Sequence, residues 1–205
     1  MNNKLVCFDQ NFYSKGVKHL CGIDEAGRGA LAGPVVSAAV VFKQGAGIDG
    51  VNDSKQLSPL KREELFQKII MDSESWSFGI INNKTIDKVN ILEATKLSML
   101  QAVKSIGTEP DFVLIDGVKW KDFPYPYETV IKGDAKSFCI ASASIIAKVI
   151  RDRIMVKLSR DFPEFFFEEN KGYGTKEHLS ALLKCGPTVF HRRSFKPVYQ
   201  PEFIF

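Results

Sequence analysis

The segment Cys21-Gly-Ile-Asp-Glu-Ala-Gly-Arg-Gly-Ala-Leu-Ala-Gly-Pro34 carries an apolar run, two adjacent acids and a glycine-containing loop. A second apolar run, Pro34-Val-Val-Ser-Ala-Ala-Val-Val-Phe42, follows it without a break. Apolar runs of this length, bounded by glycine and proline, are typical of strands in a protein core. The segment therefore predicts two strands, 18–26 and 34–42, that form a hairpin at the centre of the fold.

Strands and helices alternate along the remainder of the chain. Ser58 is suited to cap a helix that has Pro59 in its first turn and runs to about Met71. Leucine and valine at spacings of three and four residues predict a second helix over 85–105. Further strands are predicted over 76–81, 111–117 and 128–132, and further helices over 134–158 and 175–184. This order predicts an α/β fold in which helices flank a mixed central sheet, with a small helical part at the C-terminal end.

Composition limits the class of protein. The chain has 205 residues, 44% hydrophobic and 25% charged, which fits a single domain over 1–205, with a core at about 18–158 and a C-terminal segment at about 159–205. No apolar run approaches the roughly 20 residues of a membrane span, and the first residues lack the apolar core of a signal peptide. The four cysteines are scattered, which favours free thiols. We expect a cytoplasmic monomer, whose net charge of +4 permits a polyanionic partner without requiring one.

Four acids stand at the predicted ends or bends of these elements. Asp24 and Glu25 follow the first strand, Asp116 ends a later strand before a glycine, and Asp134 stands where it would cap the long helix. Neighbouring side chains of a strand point to opposite faces, so Asp24 and Glu25 share a site only if the strand bends or ends there. Gathered carboxylates suit magnesium or manganese, and phosphoryl transfer is the natural reaction of such a site. Each acid alone is equally typical of a cap or a turn.

Five short motifs resemble, in the same order, the motif series of the ribonuclease HII family. They are Gly22–Gly29, Asp53–Ser58, Lys132–Ser137, Lys171–Lys176 and His191–Phe195. The resemblance implies an RNase H-like fold and a metal-dependent endoribonuclease. Such an enzyme cleaves the RNA strand of RNA·DNA hybrids and incises 5′ of single ribonucleotides in duplex DNA, leaving 5′-phosphate and 3′-hydroxyl ends. The family's catalytic and metal-binding carboxylates, which use Mn²⁺ or Mg²⁺, fall on Asp24, Glu25, Asp116 and Asp134.

The resemblance also implies a substrate-binding surface. Gly27, Arg28 and Gly29 match a loop that contacts the ribose 2′-hydroxyl and the neighbouring phosphate, where the lack of side chains lets the backbone approach the sugar. Tyr173 matches a tyrosine that stacks on the deoxyribose after the ribonucleotide. Phosphate contacts, which position a duplex without reading its sequence, are expected from Lys55, Lys171, Arg192 and Arg193. Without the resemblance, Gly-X-Gly is a common turn and an isolated surface lysine is usually only solvated.

Three positions outside these roles remain open. Ala30 stands where the family usually has proline, so we expect a slightly less rigid loop. His191, beside two arginines, fits an anchoring role or a phosphate contact. The last residues, Gln200-Pro-Glu-Phe-Ile-Phe205, resemble a peptide that docks on DNA sliding clamps, although from the residues alone the favoured alternative is that Phe203 and Phe205 fold back on the core.

Two other functions compete with this interpretation. One is a nuclease or integrase of the same broad fold that acts on DNA. The other is a nucleic-acid-binding module whose acids are only structural caps. The complete set of carboxylates argues against the module, and the substrate that is cleaved separates the two enzymes.

Overall fold

The computed structural model describes residues 4–199 of the chain. Within them, five strands form one mixed sheet. The strands are β1 (Leu20–Ala26), β2 (Val35–Val41), β3 (Ser75–Ile81), β4 (Phe112–Asp116) and β5 (Tyr127–Val130). Their order across the sheet is β3-β2-β1-β4-β5, and β1 pairs antiparallel with β2 and parallel with β4. The predicted hairpin and the predicted mixed sheet are both confirmed.

Helices precede, connect and follow these strands. They are α1 (Lys4–Tyr13), α2 (Pro59–Asp72), α3 (Asn83–Val89), α4 (Ile91–Lys104), α5 (Phe138–Ser159), α6 (Phe167–Asn170), α7 (Lys176–Cys185) and α8 (Lys196–Tyr199). Ser58 caps α2 as predicted, because its side chain accepts a hydrogen bond from the amide of Lys61. Thr175 caps α7 in the same way. Among the described residues, none of these helices has the length and apolar character needed to cross a membrane.

The hairpin lies between two helical layers. Residues of α4 pack on one face of β1 and β2, where Ile23 and Met99 share a core cluster. The long helix α5 packs on the opposite face. There Gly22 allows the closest approach, since a Cβ atom on it would lie 2.2 Å from the carbonyl carbon of Cys139. Alternation along the strand puts Asp24 on the same face as Gly22, and thus towards α5.

The predicted helix over 85–105 is wrong in one respect, because it is two helices. Asn90, at φ 69°, separates α3 from α4. Its side chain accepts hydrogen bonds from the amides of Leu92 and Glu93, so it caps the second helix. Its ψ of 168° puts it in a positive-φ region that residues other than glycine rarely adopt, and the apolar spacing continues across the break. The spacing alone therefore gave no signal of it.

The predicted cap of the long helix is also wrong. Ser137 caps α5 by accepting from the amide of Ile140, whereas Asp134 lies in a short 3₁₀ turn, Gly133–Ala135. The turn moves the cap three residues along the chain. As a result, the carboxylate of Asp134 is not used to begin the helix and is directed to the other acids.

The C-terminal part packs against the loop that follows β1. Leu31 and Ala32 of that loop share a buried cluster with Met155 of α5 and with Phe165 and Phe167. The aromatic residues after α5 therefore belong largely to a core. The arrangement brings the loop after β1 and the residues around Tyr173 to the same side of the molecule.

Candidate active site

Three carboxylates meet at one edge of the sheet. Asp24 is in β1, Asp116 is the last residue of β4, and Asp134 is in the turn before α5. Because β1 and β4 are parallel neighbours with Ile23 opposite Ile115, the two following acids come side by side. One oxygen of each of the three carboxylates lies within 4.8 Å of the others.

Hydrogen bonds orient two of these carboxylates. Asp24 Oδ1 accepts from the amide of Glu25 at 2.7 Å, and Asp116 Oδ1 accepts from the amide of Gly133 at 2.6 Å. The hydroxyl of Ser144 also donates to Asp24. Its Oγ also lies 2.8 Å from Ser54 Oγ, and either hydroxyl can donate in this pair. The hydroxyls of Ser54 and Ser144 thus link the Asp53–Ser58 motif to Asp24.

The acids destabilise one another's charged forms. Burial raises the pKa of Asp24 well above its ordinary value, and the charges of Glu25 and Asp116 raise it further. Burial also raises the pKa of Asp116, against the Gly133 hydrogen bond, and Asp134 adds to the rise. A divalent cation would offset this repulsion, and the three carboxylate oxygens are the hard donors that such an ion prefers. The donor set therefore fits a divalent metal.

Glu25 lies beside this cluster and not in it. The condition for the two acids to share a site is not met within β1, because Glu25 pairs with Ser37 and the strand continues to Ala26. Glu25 Oε1 accepts from Arg28 Nη1 at 3.2 Å, while its Oε2 is buried without a hydrogen-bond partner. Burial raises the pKa of Glu25 although Arg28 opposes the rise. The unsatisfied oxygen is suited to a cation that enters the site.

A cavity of about 570 Å³ surrounds the acids. The predicted residues that line it are Asp24, Glu25, Gly27, Arg28, Gly29, Lys55, Asp116 and Tyr173. The other lining residues, which were not assigned a role from the sequence, are Ala26, Ser54, Arg62, Ser144 and Lys148. Ser144 and Lys148 are one helical turn apart on α5, and buried Ala147 lies between them. Helical spacing was the signal that would have placed them on the face of α5 that meets the sheet.

The glycine loop has a fixed shape. Gly27 has φ 96°, and a Cβ atom on it would lie 1.9 Å from the Nε atom of Arg151. Glycine is therefore required there for two reasons, backbone conformation and space. The amide of Ala30 lies 3.4 Å from the Gly27 carbonyl, a contact that proline cannot make. The lower rigidity expected from Ala30 stays a prediction.

Tyr173 faces the cavity from the opposite side. The guanidinium carbon of Arg151 lies 5.3 Å from the centre of its ring, and Lys148 Nζ lies 5.9 Å from it. Both cations are on α5, so the helix that carries Ser144 also supports the tyrosine. The motif residues Gly27 and Tyr173 thus approach one cavity from separate segments.

The predicted phosphate-binding cations differ in position. Lys55 is largely exposed, and its Nζ lies 3.5 Å from Asp134 Oδ2. Lys171 is half-buried, and its ammonium donates to the carbonyl of Glu168. Arg193 is exposed, and its amide donates to Asp87. These three side chains are accessible to a nucleic acid.

Burial argues against a direct phosphate contact for the two remaining motif residues. Arg192 is 0% exposed, and His191 is 1% exposed. His191 Nε2 lies 2.9 Å from His178 Nε2 within a cluster that includes Phe165 and Phe167. Of the two roles left open for His191, the structure favours anchoring.

Comparisons with known proteins agree with this arrangement. A family model described as ribonuclease HII matches residues 21–198. Ribonuclease HII of Endomicrobium trichonymphae is 49% identical over 199 residues, which cover 97% of this chain and 95% of that protein. The fold is similar to that of ribonuclease H2 from Pyrococcus horikoshii OT3, with a TM-score of 0.74, 30% identity, and coverage of 90% of this chain and 97% of that one. It is also similar to a chain in the PCNA:RNase HII complex from Archaeoglobus fulgidus, with a TM-score of 0.71, 26% identity and coverage of 87% and 95%.

Proposed function

Because the chain belongs to the ribonuclease HII family, a family of metal-dependent nucleases, we propose that it cleaves the RNA strand of RNA·DNA hybrids and incises 5′ of single ribonucleotides in duplex DNA. The observation that carries this proposal is the gathering of Asp24, Asp116 and Asp134, because Asp24 and Asp116 line the same cavity as Gly27 and Tyr173. Carboxylates for a metal and backbone for a sugar are thus within reach of one substrate. The products would carry 5′-phosphate and 3′-hydroxyl ends.

Asp24, Asp116 and Asp134 would hold the metal, and Glu25 would contribute its unsatisfied oxygen. When bound, two divalent ions, Mn²⁺ or Mg²⁺, lower the pKa of an attacking water and stabilise the charge on the leaving oxygen. The protein's part is to orient these carboxylates, through the Glu25 amide, the Gly133 amide and the Ser144 hydroxyl. No histidine lines the cavity within the described chain, which fits a reaction that needs no imidazole base.

The loop Gly27–Gly29 would recognise the ribonucleotide. Its glycines leave the backbone open to a 2′-hydroxyl, the group that distinguishes RNA from DNA. The Arg28 guanidinium, now paired with Glu25, would exchange part of that pairing for the neighbouring phosphate. Tyr173 would stack on the following deoxyribose and give preference for the junction between RNA and DNA.

Outside the cavity centre, cations would position the duplex. Lys55, Lys171 and Arg193 are accessible and suited to phosphate contacts. Arg192 was assigned the same role from the sequence, but its burial excludes a direct contact in this conformation. We therefore propose that Arg192 supports the loop Gly27–Pro34, which is called the recognition loop below.

The deciding experiment uses three labelled substrates of equal length. They are a DNA duplex with one ribonucleotide, an RNA·DNA hybrid and an all-DNA duplex, each incubated with Mn²⁺, Mg²⁺ or a chelator. We expect cleavage of the first two, 5′ of the single ribonucleotide in the first, and none with the chelator. Cleavage of the all-DNA duplex would favour the rival DNA nuclease. Binding without metal-dependent cleavage would favour the binding module.

The partner proposed for the tail concerns residues 200–205, which lie outside the described residues. We propose that Gln200 to Phe205 docks on a DNA sliding clamp, and a solved homologue in complex with PCNA supports it. Deletion of 200–205 should abolish clamp binding in a direct assay while cleavage of free duplex is retained. Replacement of Glu202 by alanine is the matched control, since the pattern depends on glutamine and the apolar residues. Unchanged binding after the deletion would contradict the proposal.

The organisation of the chain is likewise a proposal. We propose a single domain over 1–205 that acts as a monomer, and the buried cluster that the C-terminal helices share with the loop after β1 supports the single domain. One cooperative unfolding transition and a monomeric mass in solution are the expected results. A separate transition for the C-terminal segment would contradict the single domain.

A further inference from the structure

Two arginines are fully buried beside the recognition loop. Arg151, in α5, and Arg192, in the C-terminal motif, are each 0% exposed. Burial lowers the pKa of both guanidinium groups, that of Arg192 to about 9, and Arg192 also feels the charge of Arg151. Arginine is almost never fully buried without a partner, because removing its charge from water is costly. The partners of these two groups therefore indicate why they are there.

Arg151 joins the two segments that line the cavity. Its Nε donates to the carbonyl of Pro34 at 3.0 Å and its Nη2 to that of Ala32 at 3.1 Å. Its Nη1 donates to the carbonyl of Lys171 at 2.9 Å. The same guanidinium lies under the ring of Tyr173. One side chain thus fixes the end of the recognition loop, the turn before Tyr173 and the tyrosine itself.

Arg192 holds the same loop from the other side. Its Nη1 donates to the carbonyl of Arg28 at 2.9 Å, and its Nε donates to that of Gly33 at 3.0 Å. Its own amide donates to the carbonyl of Leu31 at 2.8 Å. Its Nη2 is buried with no hydrogen-bond partner. Arg192 therefore holds the carbonyl of Arg28, the central residue of the Gly-Arg-Gly motif, by a hydrogen bond.

The partners of both groups are backbone carbonyls. In the part of the chain that the structure describes, no carboxylate accepts a hydrogen bond from either guanidinium. A carboxylate would bring the opposite charge and neutralise a buried guanidinium, which a neutral carbonyl does not do. Five carbonyls from two segments, four in the loop after β1 and one in the turn before Tyr173, instead receive directed bonds from planar groups of fixed shape. This arrangement orients backbone more than it compensates charge.

We propose that Arg151 and Arg192 are positioning residues that hold the Gly27–Pro34 loop and the Lys171–Tyr173 turn in one arrangement, so that the ribose-reading backbone and the stacking ring stay in register. The inference rests on the substrate roles proposed above for Gly27 and Tyr173. The lack of a side chain at Gly27 is part of the same arrangement, because Arg151 occupies the position that a Cβ atom of residue 27 would take. Neither arginine touches the substrate.

The test replaces each arginine by lysine, which keeps the charge and loses the planar fork. Arg151→Lys and Arg192→Lys are compared with Arg153→Lys, two residues along α5, where the exposed guanidinium pairs with Glu63. For each protein we would measure cleavage of the single-ribonucleotide duplex and of the long hybrid, and the rise in melting temperature with Mn²⁺. The metal-dependent rise reports the carboxylate cluster without depending on activity.

We expect the two arginine variants to lose more activity on the single-ribonucleotide duplex than on the long hybrid. In Arg151→Lys and Arg192→Lys, the ratio of single-ribonucleotide to hybrid cleavage should fall by about tenfold or more, since misplacement by an ångström is enough for such losses. The metal-dependent rise should be retained, and Arg153→Lys should behave as wild type. An unchanged ratio, or equal loss on both substrates with an intact fold, would overturn the inference.

Hydrogen exchange of the wild-type protein keeps the inference testable if the lysine variants do not fold. The amides of Leu31 and Ala32 donate to the carbonyl of Gly172, so they should exchange as slowly as amides of the central hairpin. Fast exchange of this loop would overturn the inference whatever the variants do. A wild-type protein that shows slow exchange but does not incise single ribonucleotides would contradict the proposed function and leave the positioning role standing.

Discussion

Two neighbouring regions of this protein each bury several charges of the same sign, and these charges are stabilised differently in the two regions. At the sheet edge, Asp24, Asp116 and Asp134 bring negative charge together. Beside the recognition loop, Arg151 and Arg192 bring positive charge together. The arginines donate to carbonyls of the protein itself, with only Nη2 of Arg192 left without a partner among the described residues, whereas the acids raise one another's pKa.

In the arginine region the protein itself stabilises the buried charges, whereas the acid cluster is suited to bind a ligand. The arginine region has its hydrogen bonds whether or not a substrate is present, so its geometry is set by the fold. The pKa values of Asp24 and Asp116 stay raised although Lys55 and Arg28 lie nearby, and a divalent cation from solution would stabilise the charged carboxylates further. Both regions are anchored on α5, through Ser144 and Arg151, which are seven residues apart. Recognition and metal binding therefore share one rigid support.

The largest expected effect comes from removal of one charge of the acid cluster. Asp24→Asn should reduce cleavage on the order of 10³-fold or more, the scale of losses when a central catalytic group is removed. Because the substitution also removes repulsion, the metal-free protein should melt at a higher temperature than wild type. The rise in melting temperature with Mn²⁺ should be lost. Activity assays and thermal unfolding with and without metal measure all three.

The matched control for this change is Asp122→Asn, at an exposed aspartate in the connection between β4 and β5. It should alter neither cleavage nor the response to metal. Binding of the hybrid by Asp24→Asn should be largely retained. Near-normal turnover in Asp24→Asn would refute the metal-binding role, and a lower melting temperature without metal would refute mutual repulsion.

The effect of burial on the pKa of a carboxylate can be measured separately at a buried aspartate outside the acid cluster. Asp9 is 3% exposed, and burial raises its pKa to about 6 from 3.8, although the Ser137 hydroxyl and the Cys139 amide oppose the rise. Since the pKa is higher in the folded state, the stabilisation is complete below pH 3.8 and is lost as the pH rises through 6. A shift of this size corresponds to at most about 3 kcal/mol. Asp9→Asn should therefore gain stability relative to wild type as the pH rises from 4 to 7.

Denaturant unfolding at several pH values measures this difference. The imidazoles of His178 and His191 have pKa values lowered by burial, so they weaken the fold as the pH falls, which is the opposite sign. They are present in both proteins and cancel in the comparison. A difference between Asp9→Asn and wild type that does not change with pH would show that burial alone does not shift this carboxylate, and that the cluster's shifts depend on its neighbours.

Much of the fold was predictable because it depends on local pattern. The hairpin of β1 and β2 follows from apolar runs around a glycine loop, and α2 begins where Ser58 and Pro59 indicated. Errors arose where a short polar contact decided the outcome. Asn90 interrupts a continuous apolar spacing, and Ser137 begins α5 in place of Asp134. Both depend on backbone angles that spacing does not encode.

The candidate site was predicted unevenly for a related reason. The family motifs include Asp24 and Tyr173, which the structure brings to one cavity. They give no indication that Arg192 is buried, because a motif records which residue is present and not where its side chain points. Arg151 lies outside every motif, although it falls on the same helical face as Ser144 and Ala147. A charged residue on an otherwise buried face was the missed signal.

A smaller effect is expected on the recognition side of the comparison. Tyr173→Ala removes the ring that would stack on the deoxyribose, and base or sugar stacking of this kind contributes about 1–3 kcal/mol. Cleavage of the single-ribonucleotide duplex should fall by about tenfold, with a smaller loss on long hybrids. Tyr173→Phe, which keeps the ring, is the control and should retain the preference. Equal losses on both substrates would count against junction stacking.

The smallest expected effect tests whether the acid cluster, like the recognition loop, is oriented from α5. Ser144→Ala removes the hydroxyl that donates to Asp24 and breaks its link to Ser54. A hydrogen bond to a charged group contributes about 1.5–3 kcal/mol, and part of this is regained once the metal orients the carboxylate. The metal concentration for half-maximal activity should therefore rise several-fold, with little change in activity at saturating metal.

Ser142→Ala is the matched control, because Ser142 is buried on the same helix and its hydroxyl has no hydrogen-bond partner. It should leave the metal requirement unchanged. Thermal titration with Mn²⁺ gives the same comparison without activity, and Ser144→Ala should need more metal for a given rise in melting temperature. Identical titrations of the two variants would mean that the Glu25 amide alone orients Asp24, and that α5 supports recognition but not metal binding.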